Sequence, residues 1–452
     1  VVVYENPTIS SKSSRDAFKK ALLGVVSGTI QTLTDFDLSK FIPINNNPTT
    51  RERTGTIRTS IIMKIAAVVV DVDERGNLII DIDGKKGDGY NLMIVGHSDV
   101  VPVESRWSVD PFAGVEKNGY IYGRGAIDDK GQVAAMVYFA VLLHRMGREF
   151  RGKVRLLIAA DEEMQDPDHG VRFLVKKHPE VFRGIHGAIG ELGGKITFMG
   201  ERRHLVVFGE KGALSLKVRI KGDKGHASNV YRVKNSVEAL VQFLYKLPRD
   251  VFFISRQTKL MLRRILGWRS VFLTNRLTNK LIVSVVYGRD QKTARFLHAL
   301  THITIAKTVL RAGHAENVYP EEAECGIDIR FFPENTKESI LRLIERCIPK
   351  GFKHKLETIT YTPSTFSSLK TKLYYAIEKT VRGLGSKPLP AFQTGTSDSA
   401  WIRQLGIPVY HFMHTKHELE IDKIHGTDER IHKEDLISIV EGYYRLLVNL
   451  QQ

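Results

Sequence analysis

The sequence predicts an α/β fold in which helices cover both faces of a mostly parallel sheet. Three apolar segments, at 91–95, 154–160 and 187–190, are predicted to be buried strands, and each ends beside histidine or acidic residues. Helical segments at 132–146 and 171–177 follow the first two strands. Strands that alternate with helices favour parallel pairing, because each helix returns the chain to the same end of the sheet.

Both ends of the chain fit this pattern. Helical periodicity predicts a helix at 15–26, and 68–82 is expected to form two short strands about an Asp-Glu-Arg-Gly turn. Late in the chain the pattern resumes with a helix at 369–384, a strand at 408–413 and a closing helix from Asp435. The first and last parts of the chain are therefore predicted to form one domain.

The middle of the chain has a different order of elements. The predicted elements are strand 213–220, helix 236–247, strands 303–310 and 324–332, helix 336–347 and strand 356–361. With a long basic segment set aside, this is the split β-α-β-β-α-β order of ferredoxin-like domains. The sequence therefore predicts an inserted α+β domain at 209–363, which divides the first domain into parts at 1–208 and 364–452.

Most of the positive charge lies in one segment. The chain has a formal charge of +17, and between Arg249 and Arg311 it carries 13 Lys or Arg against two Asp, or +11. A nucleic-acid-binding protein is the first class that such charge suggests. No nucleic-acid recognition motif accompanies the charge, so the basic insertion at about 249–300 is predicted to be a solvated face.

Composition limits the class of protein. With 452 residues and 42% hydrophobic content, the chain is long enough for two domain cores. Its longest uninterrupted apolar run, 133–143, is far shorter than the roughly 20 residues of a membrane-spanning helix. Cys325 and Cys347 are too few for a disulfide framework, and residues 1–14 lack the pattern of a secretory signal, so a cytoplasmic location is expected.

Histidine and acidic residues gather where the predicted strands end. His97, Asp128, Glu163 and Glu191 are 31, 35 and 28 residues apart, about one strand–helix unit each. Because ligands of open α/β sheets bind at the carboxyl ends of strands, these side chains are expected to meet. A fifth ligand is expected among the C-terminal histidines, and His425 is chosen because its loop precedes the closing helix. Such imidazole and carboxylate ligands suit Zn²⁺, and Co²⁺ or Mn²⁺ could occupy the same set.

Five segments resemble one enzyme family. The segments are 96–103, 123–131, 210–212, 316–320 and 425–431. Together they are similar to the co-catalytic zinc metallopeptidases, a family that includes glutamate carboxypeptidase, aminoacylase, succinyl-diaminopimelate desuccinylase and carnosinase. Within that family the chain most resembles carboxypeptidase S and the secreted N-fatty-acyl-amino-acid hydrolases. The resemblance covers nearly the whole chain and implies a di-zinc exopeptidase-like fold in which the inserted domain is a lid.

The resemblance implies a site of two Zn²⁺ ions and a catalytic base. Its ligands would be His97 and Glu191 on one ion, Glu163 and His425 on the other, and Asp128 bridging both. Asp99 would orient His97, and Glu162 would take a proton from the attacking water and pass it to the leaving amine. His226 of the lid would donate to the developing oxyanion, and in dimeric relatives this histidine comes from the neighbouring subunit.

The same resemblance implies substrate contacts and an activity. Asn317 and Arg330 match the residues that hold the substrate's carboxylate, a task that suits a guanidinium fork. The loop Gly395-Thr396-Ser397 would add backbone donors. The implied enzyme cleaves a peptide or N-acyl amide bond beside a free carboxylate and releases an amino acid, and it works as a homodimer formed through the lid domain.

The residues taken singly allow simpler interpretations. His97 and Asp99 could form a capped loop, and 161–163 could be a solvated acidic loop. His226 could be an ordinary surface histidine. Arg330 could instead form a surface ion pair, and Asn317 could shape a turn before Pro320.

Two other function classes stay open at this level. A catalytically idle member of the family could bind ligands or partners, although no ligand or base is missing from this chain. The segment 261–280 interleaves Leu, Ile, Trp and Phe with Arg, so it could contact nucleic acid or an anionic membrane. In relatives of this branch the same region is also long and apolar, so the segment could equally cover the active site or form a dimer contact.

Overall fold

The computed structural model describes residues 69–452 except 74, 105, 165, 199 and 200. The helix predicted at 15–26 lies outside the described residues. The strands are β1 Val69–Val72, β2 Leu78–Asp83, β3 Leu92–His97, β4 Val115–Lys117, β5 Tyr120–Tyr122, β6 Lys153–Ala159, β7 Gly187–Gly190, β8 Gly194–Phe198, β9 Glu201–Glu210, β10 Gly212–Lys221, β11 Gly225–His226, β12 Asp250–Phe252, β13 His302–Ala312, β14 Val318–Tyr319, β15 Glu322–Phe331, β16 Lys353–Thr362, β17 Thr365–Phe366, β18 Pro388–Gln393, β19 Val409–His411 and β20 Arg430–His432. The helices are α1 Lys130–Arg145, α2 Gly170–Lys177, α3 Ser236–Lys246, α4 Arg256–Leu266, α5 Ser270–Thr274, α6 Arg276–Tyr287, α7 Gln291–Thr301, α8 Lys337–Glu345, α9 Lys372–Gly383, α10 Ser399–Gln404 and α11 Lys433–Leu450.

The larger sheet contains the strands that carry the predicted site. Its order is β1-β2-β6-β3-β7-β19-β9-β17, and β8 and β18 also pair with β9. The central strands β6, β3, β7 and β19 are parallel, whereas β2 and β9 flank them in antiparallel pairing. The mostly parallel sheet is therefore confirmed at its centre. Because these strands run in one direction, the residues that follow β3, β6 and β7 emerge at one edge.

Helices cover both faces of this sheet, as the sequence predicts. Leu92 and Ile94 of β3 lie in a core shared with α1 and α11. Met93 and Val95 lie in a second core shared with α2 and α10. Successive side chains of a strand point to opposite faces, so a strand buried on both sides is an unbroken apolar run.

The inserted segment forms a second sheet, β12-β13-β15-β10-β16, in which every pair is antiparallel. Without the edge strand β12, this is the strand order of a ferredoxin-like β-α-β-β-α-β unit. Leu240 and Phe243 of α3 and Ile340 and Ile344 of α8 are buried in its core. The exact domain limits, 1–208, 209–363 and 364–452, stay a prediction.

The basic insertion is helical and only partly solvated. Between β12 and β13 it forms α4 to α7, and Leu262, Leu273 and Leu297 from these helices are buried. They pack with Leu389 of β18 and Phe198 of β8, at the edge of the larger sheet. The charge alone predicts a wholly solvated face. That expectation is incomplete, because leucines at helical spacing give the insertion an apolar inner side.

Two further expectations concern cysteines and membrane spans. Cys325 is buried, Cys347 is half-buried, and both are free thiols, as the sequence predicts. Across the described residues, no helix combines the length and the apolar character needed to cross a bilayer.

Candidate active site

His97 is the last residue of β3, at the edge where the parallel strands end. It is buried, and both ring nitrogens face carboxylates. Its Nδ1 lies 3.1 Å from Oδ1 of Asp99. Its Nε2 lies 3.0 Å from Oδ1 of Asp128 and 3.3 Å from Oε2 of Glu191. The preceding residues of β3 fill both cores, which fixes the strand and therefore the ring that ends it.

Asp128 lies between two histidines. Its Oδ1 faces Nε2 of His97, and its Oδ2 faces Nε2 of His425 at 3.3 Å. Nε2 of His425 is also 3.1 Å from Oε1 of Glu163. His425 is half-exposed, so this side of the cluster is open to solvent. The structure thus brings together all five residues that the sequence proposes as metal ligands, with Asp128 in the middle.

Asp99 connects His97 to the turn that carries the adjacent acidic pair. Both of its carboxylate oxygens accept a hydrogen bond from the backbone N–H of Glu162, over 3.1 Å each. Its Oδ2 also accepts from the backbone N–H of Glu163, over 3.0 Å. One carboxylate therefore orients the imidazole of His97 and the turn after β6 at the same time.

Glu162 is buried beside the cluster, on the turn held by Asp99. Burial, and then repulsion by the carboxylate of Glu191, raises the pKa of Glu162 well above its usual value. A raised pKa makes a carboxylate a stronger proton acceptor, which is what a general base requires.

Glu429 is a buried residue that sequence reasoning did not single out. Its carboxylate accepts four hydrogen bonds, from the backbone N–H groups of Gly125, Ile127 and Asp128 and from Nη1 of Arg124, over 3.0, 2.8, 3.1 and 2.9 Å. This carboxylate therefore fixes the backbone that presents Asp128. Its place four residues after His425, inside one of the family-like segments, is the signal that could have found it.

Two more carboxylates belong to the cluster and were also missed. Asp129 is fully buried, and its Oδ2 accepts from the backbone N–H of His97 over 3.3 Å. Within the described residues, its Oδ1 and the buried Oδ2 of Asp398 have no hydrogen-bond partner. Asp129 precedes α1 and Asp398 precedes α10, where the sequence alone suggests ordinary helix caps.

The cluster contains more carboxylates than its histidines can balance. Burial raises the pKa of Asp129, Glu162 and Asp398 well above the usual value, and the negative charge of Glu191 adds to the rise in each case. Burial lowers the pKa of His97, but hydrogen bonds to Asp128 and Asp99 outweigh it and raise that pKa. In the described part of the chain, the ligand carboxylates ion-pair with histidine and not with Lys or Arg. Divalent cations fit this set, because buried carboxylates that lack a countercharge are costly.

His226 and Asn317 lie together on the inserted domain, apart from the hydrogen bonds of the cluster. His226 pairs with Val318 in the two-stranded sheet β11-β14, and the backbone N–H of Ala227 donates to the carbonyl of Asn317 over 2.9 Å. The side chains of His226 and Asn317 are exposed. The described side-chain hydrogen bonds of His226 are with Ser228.

Arg330 links the inserted domain to the predicted substrate loop. Its Nη1 lies 3.4 Å from Oγ1 of Thr396, whereas Gly395 beside it is exposed. Nε and Nη2 of Arg330 donate to the two carboxylate oxygens of Asp328, over 2.8 and 3.3 Å. Two predicted substrate residues, Arg330 and Thr396, are therefore in contact, and Asp328 fixes the plane of the guanidinium.

A buried polar network supports the same loop. Glu210 is fully buried and accepts from Oγ of Ser397 over 2.7 Å and from Nε2 of Gln393 over 3.0 Å. Nη1 of Arg403 is 3.1 Å from Oε1 of Glu210. Burial raises the pKa of Glu210 to about 7, against the opposing charge of Arg403. These contacts hold Ser397, and with it the adjacent Thr396.

Known proteins share this sequence pattern. The family model for Peptidase family M20/M25/M40 matches residues 93–449. The chain is 26% identical over 379 residues to the N-fatty-acyl-amino acid synthase/hydrolase PM20D1 of Xenopus tropicalis, covering 80% of this chain and 74% of that protein. It is 28% identical over 366 residues to the succinyl-diaminopimelate desuccinylase of Methylobacterium radiotolerans, covering 79% of this chain and 81% of that protein.

Solved structures share the fold. The crystal structure of the M20 family metallo-carboxypeptidase Sso-CP2 from Sulfolobus solfataricus aligns with a TM-score of 0.66 and 19% identity, over 86% of this chain and 92% of that chain. At this identity the likeness supports the fold alone. The family match, in contrast, spans most of the chain and all five proposed ligands. The chain belongs to the peptidase family M20/M25/M40 and is a metal-dependent hydrolase of that family.

Proposed function

We propose that the protein is a di-zinc amidohydrolase that cleaves a peptide or N-acyl amide bond beside a free α-carboxylate and releases an amino acid. The observation that carries this proposal is the position of Asp128, whose two carboxylate oxygens face His97 and His425. A carboxylate placed in this way can be shared by two cations, as in other two-metal hydrolytic sites.

Five side chains would hold the ions: His97 and Glu191 on one side of Asp128, Glu163 and His425 on the other. Zn²⁺ is proposed because imidazole and carboxylate donors suit it, and Co²⁺ or Mn²⁺ fit the same donors. When bound, such ions act as Lewis acids on the scissile carbonyl. Asp99 engages Nδ1 of His97 and so leaves Nε2 for a metal.

Glu162 is the proposed general base. Its burial and its position next to Glu163 support proton uptake from the attacking water and proton return to the leaving amine. Arg330 and Thr396 are the proposed contacts of the substrate's carboxylate, with the backbone of Gly395 as an additional donor. Their 3.4 Å contact, between β15 and the loop after β18, supports a carboxylate pocket at this point.

We also propose a homodimer that forms through the inserted domain. Val241 and Tyr245 on α3 and Leu310 on β13 are exposed apolar residues of this domain. Among the described strands, β13 has only β12 on its outer edge, and this pairing ends at Thr304 and Ile305. The outer edge of β13 beyond Ile305 is therefore available to a strand of a second copy. His226 and Asn317 are proposed to enter the partner's active site, where the imidazole would donate to the oxyanion.

A substrate panel tests the proposed specificity. Dipeptides and N-acyl amino acids are assayed on zinc-loaded protein, each beside its C-terminal carboxamide. Hydrolysis of the free acids is expected, with the carboxamides slower by about tenfold or more, since a charged hydrogen bond is worth about 1.5–3 kcal/mol. Arg330→Lys should reduce this preference, whereas Arg219→Lys, on the same sheet, should keep it. Equal rates for acids and carboxamides would contradict the carboxylate pocket.

A further inference from the structure

The basic helices carry apolar side chains that point away from the cores and that hydrolysis does not use. Six of these form what we call the outer face: Trp268, Val271, Phe272, Leu277, Leu281 and Val285. Trp268, Leu277 and Leu281 are 73, 83 and 65% exposed. Large contiguous apolar patches are rare on the surface of soluble proteins, and where they occur they often mark an interaction site.

The outer face is organised by helix geometry. Leu277, Leu281 and Val285 are spaced by four residues along α6, so they lie on one side of that helix. Ile282 and Val286 of the same helix pack inward, against the core of the insertion. An α-helix that is apolar on two sides has a partner on each of them. Among the described residues, only the inner side of α6 has such a partner.

The aromatic part of the outer face lies beside the start of α6. The rings of Trp268 and Phe272 are in edge contact, with centroids 6.0 Å apart. Oγ1 of Thr278 donates to the carbonyl of Phe272, and Nδ2 of Asn279 donates to the carbonyl of Leu273 over 2.8 Å. These bonds join α5 to the first turn of α6, so the aromatic pair and the leucine row belong to one rigid surface.

The segment that carries the outer face has charged residues of a single sign. Between residues 256 and 289 there are eight Lys or Arg and no Asp or Glu. Arg269, Arg276 and Lys280 are exposed, and Arg276 and Lys280 directly precede Leu277 and Leu281 on α6. Arg264 and Lys292 instead pair with Glu378 and Asp422, which anchors the helices to the rest of the protein.

We propose that the outer face docks on an anionic lipid surface. Apolar side chains backed by Lys and Arg, with a Trp at the boundary, are the features of an element that lies in the plane of a membrane interface. The leucines and aromatic rings enter the headgroup region, and the cations bind lipid phosphates and carboxylates. Each Lys or Arg near an anionic membrane adds attraction that salt screens.

Charge also distinguishes this partner from the alternatives. Two copies that met through the outer face would oppose two sets of cations, and residues 256–289 contain no Asp or Glu to balance them, which disfavours self-association. Nucleic acid would satisfy the cations, but it would leave the leucine row in water, because its affinity comes chiefly from phosphate contacts. A lipid surface satisfies the apolar and the charged parts together.

Vesicle binding of the full, metal-loaded chain tests the proposal. Phosphatidylcholine vesicles with and without phosphatidylserine are used, and bound protein is measured by sedimentation. Binding is expected for the anionic vesicles, with a fall as salt is raised and a blue shift of the fluorescence of Trp268, which is far more exposed than Trp107 and Trp401. No binding to anionic vesicles at low salt would overturn the proposal.

Matched variants separate the lipid surface from other partners. Leu277→Gln with Leu281→Gln, and separately Arg276→Gln with Lys280→Gln, should each weaken anionic-vesicle binding by about tenfold or more. Ile359→Gln changes an exposed apolar residue of β16 and should leave binding unchanged. Full vesicle binding by the double leucine variant would overturn the proposal. The proposal would also be overturned if the wild type bound no vesicles and the double leucine variant instead lost dimerisation, DNA binding or thermal stability, because the outer face would then have another partner. None of these measurements needs turnover, so their failure leaves the proposed hydrolase unaffected.

Discussion

The carboxylate of Glu429 accepts a hydrogen bond from the backbone N–H of Asp128, over 3.1 Å. Three more donors, from Arg124, Gly125 and Ile127, bind the same carboxylate. A buried acid with four donors is held firmly, and so is the backbone that it binds. The proposed shared metal ligand is therefore positioned by a residue that lies about three hundred positions away in the chain.

The first prediction concerns this support. In Glu429→Gln the amide keeps one acceptor oxygen and presents an N–H₂ group to donors that need an acceptor. We expect zinc affinity to fall by about 10–100-fold, as is typical when a group that orients a ligand is lost. Competition with a chromogenic chelator measures the affinity. Glu345→Gln, an exposed change on α8, serves as the control, and equal affinities for the two variants would contradict the role of Glu429.

The second prediction separates the base from its neighbouring ligand. Glu162→Gln should bind wild-type amounts of metal and lose about 10²–10⁴-fold in kcat, the usual contribution of a general base. Glu163→Gln should lose metal as well as rate, because its Oε1 is 3.1 Å from His425 in the cluster. Metal analysis and kinetics on the same preparations measure both. Near-normal turnover in Glu162→Gln would show that another group takes the proton.

The third prediction tests the contribution of a second subunit. His226→Ala and Glu162→Gln should each be inactive alone. If His226 acts in the partner's site, their mixed dimers contain one complete site, and random mixing should restore roughly a quarter of wild-type activity. Activity is measured after unfolding and refolding the two variants together. No recovery, from a mixture shown to contain mixed dimers, would place His226 in its own site or outside the chemistry.

The fourth prediction concerns Lys211, which is fully buried where the chain passes from β9 to β10. Its Nζ donates to the carbonyl of His302 over 2.6 Å and lies 4.5 Å from the ring centroid of Phe332. Burial, and then the charge of Arg330, lowers the pKa of Lys211 from 10.5 to about 7. Between these values the unfolded chain binds a proton that the folded chain has released, so the free energy of unfolding contributed by this group rises with pH.

Lys211→Met should remove this dependence. Urea unfolding from pH 7 to pH 10 is expected to show a smaller rise in the free energy of unfolding for the variant than for the wild type. Lys221→Met, at the exposed end of β10, should keep the wild-type dependence. If all three proteins gave the same dependence on pH, the lysine would remain charged in the folded state.

Three of the proposed ligands, His97, Glu163 and Glu191, could be predicted from the sequence because they lie at or just after strand ends. An unbroken apolar run such as 92–95 marks a strand buried on both faces, so the histidine after it falls at a predictable edge. The roles of Glu429, Asp129 and Asp398 could not be predicted in this way. Each role depends on contacts between segments that are far apart in the chain, and local periodicity does not predict such contacts.

In the inserted domain, too, local elements could be predicted from the sequence and long-range contacts could not. The β-α-β-β-α-β order follows from local patterns, since each element has its own period. The contact between Arg330 and Thr396 joins residues 66 positions apart, one on β15 of the inserted sheet and one in the loop after β18, so it depends on how the inserted sheet packs against the larger one. The sequence shows that the basic insertion contains leucines. It does not show which of them are buried, because that depends on how the insertion packs on the edge of the larger sheet.

Two metal ions, both required for hydrolysis, are proposed to share Asp128. Protein stripped with a chelator is titrated with Zn²⁺, and bound zinc per chain and the initial rate on a cleaved substrate are measured on the same samples. We expect two zinc ions per chain at full activity, and for Asp128→Asn fewer than two ions and a rate lower by orders of magnitude. Full activity in metal-free protein, or two ions and a normal rate in Asp128→Asn, would contradict it.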